Sequence, residues 1–248
     1  MIIQYVSDIH LEFLTKLPKI KAIADVLCLA GDIGYPYSGI YKDFLIKMNE
    51  SFKKVFIITG NHEYYMLGKN GSHTIDEINS KITSLIKEHD LKNITFLNNS
   101  YEEYNGYTFV GTTLWSKIPS QNMNDIHIMN DFKQINNMTY DTYNILHKLS
   151  NKFIEQTLFS TTDKNKKIIM ITHHIPSFTL IDEKFKQSDF NCFYASECEK
   201  YFTDNIKAWI YGHTHIASKN SINNIQFVCN PKGYPSENSI IKFETIEV

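Results

Sequence analysis

The chain has 248 residues, 42% of them hydrophobic and 21% charged, as in an ordinary globular protein long enough to bury a full core. Its net charge of −2 argues against a general nucleic-acid or anionic-membrane binder, which would carry a basic face. No apolar run approaches the roughly 20 residues that span a bilayer, the N-terminus has no basic or cleavable leader, and the four cysteines form no CxxC pair, so a cytoplasmic protein with reduced thiols is expected.

Residues 2–6 are a short apolar run. A second, continuous run at 25–30 has the pattern of a strand buried on both faces, and 55–59 repeats it. Between these two, residues 39–52 have helical spacing, with Ile40, Phe44, Leu45 and Met48 on one face. Residues 76–88 do the same through Ile78, Ile82, Leu85 and Ile86. Alternating strands and helices predict an α/β sheet built by crossover connections. Beyond Leu91 come short runs at 94–97, 101–104 and 107–114, with Asn105-Gly106 as a hairpin turn. Residues 117–138 read as a long loop of a kind that commonly serves function. A helix is expected over 140–159, with Tyr143, Leu146, Leu149 and Phe153 on one side. Buried strands at 167–172 and 208–211 follow, with a helix at 195–202 between them and antiparallel strands at 225–229 and 239–244. With no repeat or linker, residues 1–248 read as a single domain: one mixed sheet or two stacked sheets, flanked by helices.

Most of the strand-like runs are followed by an Asp, Asn or His island: Ser7-Asp8-Ile9-His10, Gly31-Asp32, Gly60-Asn61-His62-Glu63, Thr172-His173-His174 and Gly212-His213-Thr214-His215. Ligand sites of open α/β sheets collect beyond the carboxyl ends of their strands, so the islands predict one site. Asp8 and His10, two apart, are expected on the same face of an extended strand. The inventory suits two divalent ions. Asp8, His10, Asp32 and His215 can serve one, and Asp32, Asn61, His173 and His213 the other, with Asp32 shared. Nitrogen and oxygen ligands without thiolate point to Mn, Fe, Zn or Mg, their identity open. All 25 basic residues are Lys and none is Arg, so the usual bidentate phosphate clamp is missing. Two ions would leave a charge surplus over Asp8 and Asp32 for a phosphate ester. His62 is the candidate catalytic residue, placed to hydrogen-bond a phosphoryl oxygen or protonate the leaving alkoxide. Asn130, Asp131 and Tyr64 are candidate substrate contacts.

D-x-H, G-D, G-N-H-[DE], a His after a strand and G-H-x-H, in this order, resemble the calcineurin-like metallophosphoesterases. The resemblance covers essentially the whole chain. The stretches Gly111 to Trp115, Asn130-Asp131-Phe132, Thr172 to Ser177 and Cys229 to Tyr234 resemble one group of small microbial members. It implies a four-layer αββα sandwich of two mixed β-sheets flanked by helices, and direct attack by a hydroxide bridging two metals. It also implies metal ligation by the seven residues already named. The family's common G-D-x-x-D becomes Asp32-Ile33-Gly34-Tyr35, without the second Asp. The His173-His174 doublet leaves the ligand open; counting from the strand favours His173, with His174 lining the pocket. The expected substrate is a phosphodiester or small organic phosphate, with no membrane or general nucleic-acid partner. Competing readings are a non-catalytic protein-binding scaffold of the same fold and a nuclease, which would need a local basic groove.

Overall fold

A computed structural model describes residues 1–65, 73–159, 166–237 and 240–248. The first half of the chain alternates strands and helices: β1 (Ile2–Val6), β2 (Val26–Ala30), α1 (Gly39–Ser51), β3 (Lys54–Ile58), α2 (Ile75–Glu88) and β4 (Ile94–Phe96). The hairpin β5 (Ser100–Tyr104) and β6 (Tyr107–Thr112) follows, then α3 (Asn130–Gln134), α4 (Tyr140–Phe159) and β7 (Lys167–Thr172). The chain ends with β8 (Ile206–Tyr211), β9 (Ser218–Ile222), β10 (Ile225–Cys229) and β11 (Glu244–Glu247).

Two mixed sheets result. One has the order β11-β1-β2-β3-β4, parallel except for β11; the other runs β5-β6-β7-β8-β10-β9, parallel except for its two edges. The period-two alternation of strand side chains sorts the apolar residues into layers. Val26, Cys28, Ala30, Phe56 and Ile58 of the first sheet meet Ile169, Ile171, Ala208 and Ile210 of the second in a core between the sheets. The intervening Leu27, Leu29, Val55 and Ile57 face outward onto α1 and α2. Ile168, Met170, Ile206 and Trp209 face outward toward Ile154 and Leu158 of α4. This is the αββα sandwich, and the continuous apolar runs are explained by burial on both faces of each central strand.

The helices start where local chemistry caps them. Ser38 Oγ accepts the Tyr41 N–H at 3.3 Å, and Thr74 and Glu77 form a reciprocal capping box at the start of α2.

Four details differ from the sequence reading. Leu149 is 50% exposed, because the inner face of α4 runs through Tyr143, Ser150 and Ile154 instead. Ser150 is drawn inward by a 3.0 Å hydrogen bond with the Thr112 hydroxyl. The expected helix at 195–202 is only a 3-10 turn at Glu199–Tyr201, since Ala195 is held in a parallel bridge with Ile175. The long loop is ordered as a 3-10 stretch, Ser120–Ile128, leading into α3. The last strand is Glu244–Glu247, paired with β1, rather than 239–244, of which Ser239 lies outside the described residues.

The parallel strands β1, β2 and β3 of one sheet and β7 and β8 of the other end on a common edge. A parallel bridge between Ser7 and Pro231 ties the two sheets there. Asp8 N–H bonds Gly31 C=O and Gly212 N–H bonds His173 C=O, both at 3.0 Å, so each island is laced to the next.

Candidate metal centre

Asp8 and His10 do not extend β1 as expected. The strand ends at Val6, and both residues take left-handed backbone conformations, φ 51° and 53°. The turn lets His10 N–H bond Asp32 C=O at 3.0 Å. Asp32, His213 and His215 are also left-handed, at φ 53°, 69° and 53°. A non-glycine residue in this region costs about 1–2 kcal/mol, and such strain gathers where function over-determines the backbone. Two island glycines are there for space. A Cβ on Gly31, itself at φ 83°, would lie 2.6 Å from Gly60 N and from His173 Nδ1. A Cβ on Gly60 would lie 2.6 Å from His173 Nε2 and closer still to Asp32 Oδ1.

Three overlapping groups of candidate ligand atoms converge, each within 4.8 Å: Asp8, His10 and His215; Asp32, His173 and His213; and His10, Asp32 and His62. Asp32 Oδ2 joins the first two, 3.3 Å from His173 Nε2 and 3.9 Å from His10 Nε2. Asn61 Oδ1 lies 3.2 Å from His173 Nε2.

The donor set fits metal ions, as the imidazole partners show. His10 Nδ1 is held by Glu12 at 2.9 Å and His215 Nδ1 by Glu237 at 3.0 Å, so the Nδ1–H tautomer follows and both Nε2 lone pairs point inward. Those two Nε2 atoms face each other at 3.1 Å, with Asp8 Oδ1 3.4 Å from the second. His173 Nδ1 donates to Ala30 C=O at 2.9 Å, which turns its Nε2 lone pair toward Asp32 and Asn61. Asn61 is fixed in turn, its Nδ2 donating to Asp131 at 2.8 Å. His213 Nε2 is buried without a hydrogen-bond partner among the described residues. Facing lone pairs repel unless a proton or a cation lies between them. Without metal, a proton takes the place. Burial opposes charge on His173, but the Asp32 carboxylate outweighs it and raises the ring to about 10. Burial likewise opposes charge on His215, which the hydrogen bond and charge of Asp8 raise to about 9.

The remaining predicted residues separate clearly. His62 Nδ1 is 3.1 Å from Glu12 and its Nε2 is 2.9 Å from the Tyr234 hydroxyl. Asn130 and Asp131 line the cavity that opens over the ligand groups. His174 does not line it, contrary to expectation. Its ring is buried against the Thr113 carbonyl and the Tyr143 hydroxyl, each at 3.3 Å, and burial together with the charge of His173 pushes it down to about 3. Tyr64 is also buried elsewhere, its hydroxyl 2.8 Å from Thr59 and 2.9 Å from Asn79. The 3-10 turn His62–Tyr64 brings the next residue, Tyr65, to the cavity instead.

Sequence reasoning missed the carboxylates behind the site. Glu12 serves both His10 and His62. Glu63 is fully buried and accepts N–H bonds from Ile33 (2.6 Å), Gly34 (3.3 Å), Asp32 (3.1 Å) and Gly60 (2.7 Å), tying the second island to the third. Burial and the Asp32 charge push Glu63 up to about 8, yet each oxygen already accepts two N–H groups, an arrangement that suits the ionised form. Glu12 stands two positions after His10 and Glu63 directly follows His62 as the last residue of the third island, the local signals available for these supports.

The sequence profile of the calcineurin-like phosphoesterases matches residues 2–217. The chain belongs to the calcineurin-like phosphoesterase family. As a member it is a metal-dependent phosphohydrolase. An uncharacterized protein of Acanthamoeba polyphaga mimivirus is 32% identical over 262 residues, which cover 95% of this chain and 92% of that protein. The crystal structure of phosphopantetheinyl hydrolase from Mycobacterium tuberculosis superposes with a TM-score of 0.70 at 17% identity, covering 95% of this chain and 90% of that one. Among the described residues no helix is long and apolar enough to cross a membrane.

In this phosphoesterase Glu12→Gln is expected to lower metal affinity or kcat by about 10- to 100-fold, the usual cost of losing an outer carboxylate. Metal titration monitored by calorimetry, together with steady-state kinetics, checks it; unchanged values would remove Glu12 from the site.

Proposed function

We propose that this phosphoesterase holds two divalent ions, one by Asp8, His10, Asp32 and His215 and the other by Asp32, Asn61, His173 and His213, and hydrolyses a phosphodiester or small organic phosphate. The observation that carries this reading is the convergence of imidazole Nε2 lone pairs whose Nδ1 atoms are already committed. Divalent ions supply Lewis-acid polarisation of phosphoryl oxygens and lower the pKa of water near them. The protein's own part is orientation and proton control. Glu12 sets the His62 ring, and Asp131 sets the Asn61 amide. Burial opposes charge on His62, but Asp32 and Glu12 raise its pKa in the metal-free protein, which favours the protonated, donating ring. The Mycobacterium tuberculosis neighbour is a phosphopantetheinyl hydrolase, but at 17% identity its substrate is no guide, and this chain's own pocket has to supply one. We further propose that residues 1–248 act as one domain in the cytoplasm.

The decisive experiment is elemental analysis combined with a panel of mono-, di- and cyclic phosphoesters assayed with Mn, Fe, Zn and Mg in turn. Two metal equivalents and turnover support the reading; a protein with neither would be a scaffold.

The raised imidazoles give a second test. At pH 7 the metal-free rings of His173 (about 10) and His215 (about 9) hold protons that the ions must displace. Loading at pH 7 is therefore expected to release protons, and affinity to rise with pH toward 9–10. The same shifts act on stability. Unfolded His titrates near about 6.5, so the metal-free fold gains fully below that value and loses the gain as pH rises through about 9 and 10. Melting temperatures of chelator-treated protein should fall over this window, and metal-loaded protein should fall less. Metal uptake at pH 7 without proton release would contradict the ligand assignment.

A further inference from the structure

The cavity over the ligand groups has a volume of about 490 Å³ and two unlike ends. At its base lie Asp32, Asn61, His213 and His215. Its wall is largely apolar, with Ile128, Met129, Ile181, Phe185, Phe190 and Tyr194, and Asn130, Ser188 and Asn191 among them. Large apolar side chains are normally covered, yet Ile128 is 44% exposed, Phe185 45%, Phe190 39% and Tyr194 36%. Apolar groups left open around one concavity mark a binding surface. They come from the 3-10 stretch Ser120–Ile128 and from the segment between β7 and β8, both of which lie outside the sheet framework.

The charge of the wall is equally selective. The chain has 25 lysines and no arginine, yet none of the described residues lining the cavity is a lysine. Lys184 lies over the Phe185 ring, 4.8 Å from its centroid, and is not part of the lining. Of the carboxylates that line it, Asp32 lies at the base among the candidate ligands, and Asp131 and Glu237 are occupied with Asn61, Tyr65 and His215. Among the described lining residues a second phosphate or a carboxylate on the substrate would meet no lysine. Asn191 donates its amide N–H to the Phe185 carbonyl at 2.8 Å, which shapes the wall.

We infer that this site selects phosphoesters whose organic arm is uncharged and largely apolar, and that Phe185 and Phe190 are the specificity-determining residues. The inference rests on the phosphoester-hydrolase reading above. It disfavours nucleic acids and polyphosphorylated nucleotides, which would carry further charge along the lysine-free wall.

Three p-nitrophenyl phosphodiesters with methyl, hexyl and 5-carboxypentyl second arms test it. In each, a water oxygen bonds to phosphorus, the bond to the nitrophenyl oxygen breaks, and p-nitrophenolate leaves with the electron pair. The reacting bond is constant and only the arm varies. A fully buried methylene is worth about fourfold and a half-buried one about twofold, so the hexyl ester should exceed the methyl ester roughly 30-fold in kcat/KM, mostly through KM. The carboxypentyl ester should lose at least about tenfold relative to hexyl. In Phe185→Ser/Phe190→Ser, whose sites are exposed enough to leave folding intact, the hexyl-to-methyl ratio should drop below about threefold, with circular dichroism confirming the fold. Equal rates for the methyl and hexyl esters, an unchanged ratio in the double variant, or a carboxypentyl ester as good as hexyl would each overturn the inference while leaving the hydrolase reading intact. No turnover of any ester with any metal would overturn both.

Discussion

Asp32→Asn is expected to reduce kcat/KM by about 10³-fold or more, with the far-UV circular dichroism spectrum unchanged. The substitution preserves shape. Asn Oδ1 can still accept the His62 N–H that Asp32 Oδ1 accepts at 2.8 Å. What changes is the second atom. Asp32 Oδ2 lies 3.3 Å from His173 Nε2 and 3.9 Å from His10 Nε2, joining the two ligand groups. An amide there puts N–H donors where a shared anionic ligand is needed and removes one of the two carboxylates among the seven proposed ligands. Metal content should fall from the proposed two equivalents to one or fewer. A variant that keeps its metal and turns over a chromogenic phosphodiester within about tenfold of wild type would sink the assignment of Asp32 as the shared ligand. Nearby Gly31 and Gly60 leave little room for relaxation around the substituted side chain.

The parts of the fold legible in the sequence were those governed by local periodicity. Runs such as Val26–Ala30 and the 168–171 core of β7 are apolar throughout because each central strand faces both a helix layer and the other sheet. The islands at their ends were visible for the same reason: a polar residue that interrupts such a run stands out. What stayed hidden was set by partners far apart in sequence. Glu12 reaches His62 fifty positions later, and Glu237 reaches His215 from twenty-two positions away. Beyond Glu12 standing two positions after His10, nothing in the sequence distinguishes either glutamate from a solvated one. Left-handed backbone at Asp8 and His10 defeated the simple strand rule, because the turn is stabilised by carbonyls of the second island rather than by its own residues. His174 and Tyr64 illustrate a one-residue error. Next to a ligand, a side chain is turned either toward the cavity or into the core, and here Thr113 and Thr59 claim the two inward positions.

His62→Asn supplies the second large effect, and its size should depend on the leaving group. In the wild type His62 sits between Glu12 at Nδ1 and the Tyr234 hydroxyl at Nε2. Burial, then the surrounding carboxylates, raise the Tyr234 phenol and make it a poor proton donor, which leaves the imidazole, raised against burial by Asp32 and Glu12, as the candidate donor. General-acid assistance is worth about 10²–10⁴-fold, and it matters most when the departing oxygen is strongly basic. An alkyl phosphodiester must expel an alkoxide and should lose that full factor in the variant. A p-nitrophenyl ester expels a stable phenolate that needs no proton and should lose only about tenfold, through the missing hydrogen bond. Comparing the two substrates on both proteins separates the roles of His62. A loss concentrated on the alkyl ester assigns it to the leaving oxygen. Equal losses place its positive charge on a phosphoryl oxygen instead, since that interaction is felt whatever group departs. Rates unchanged for both would remove His62 from the reaction and leave Glu12 with His10 as its only catalytic client. The pH profile adds a check with a defined sign: because Asp32 and Glu12 overcome burial to raise the imidazole, the alkyl-ester rate should fall on the alkaline side in the wild type, and His62→Asn should flatten that limb.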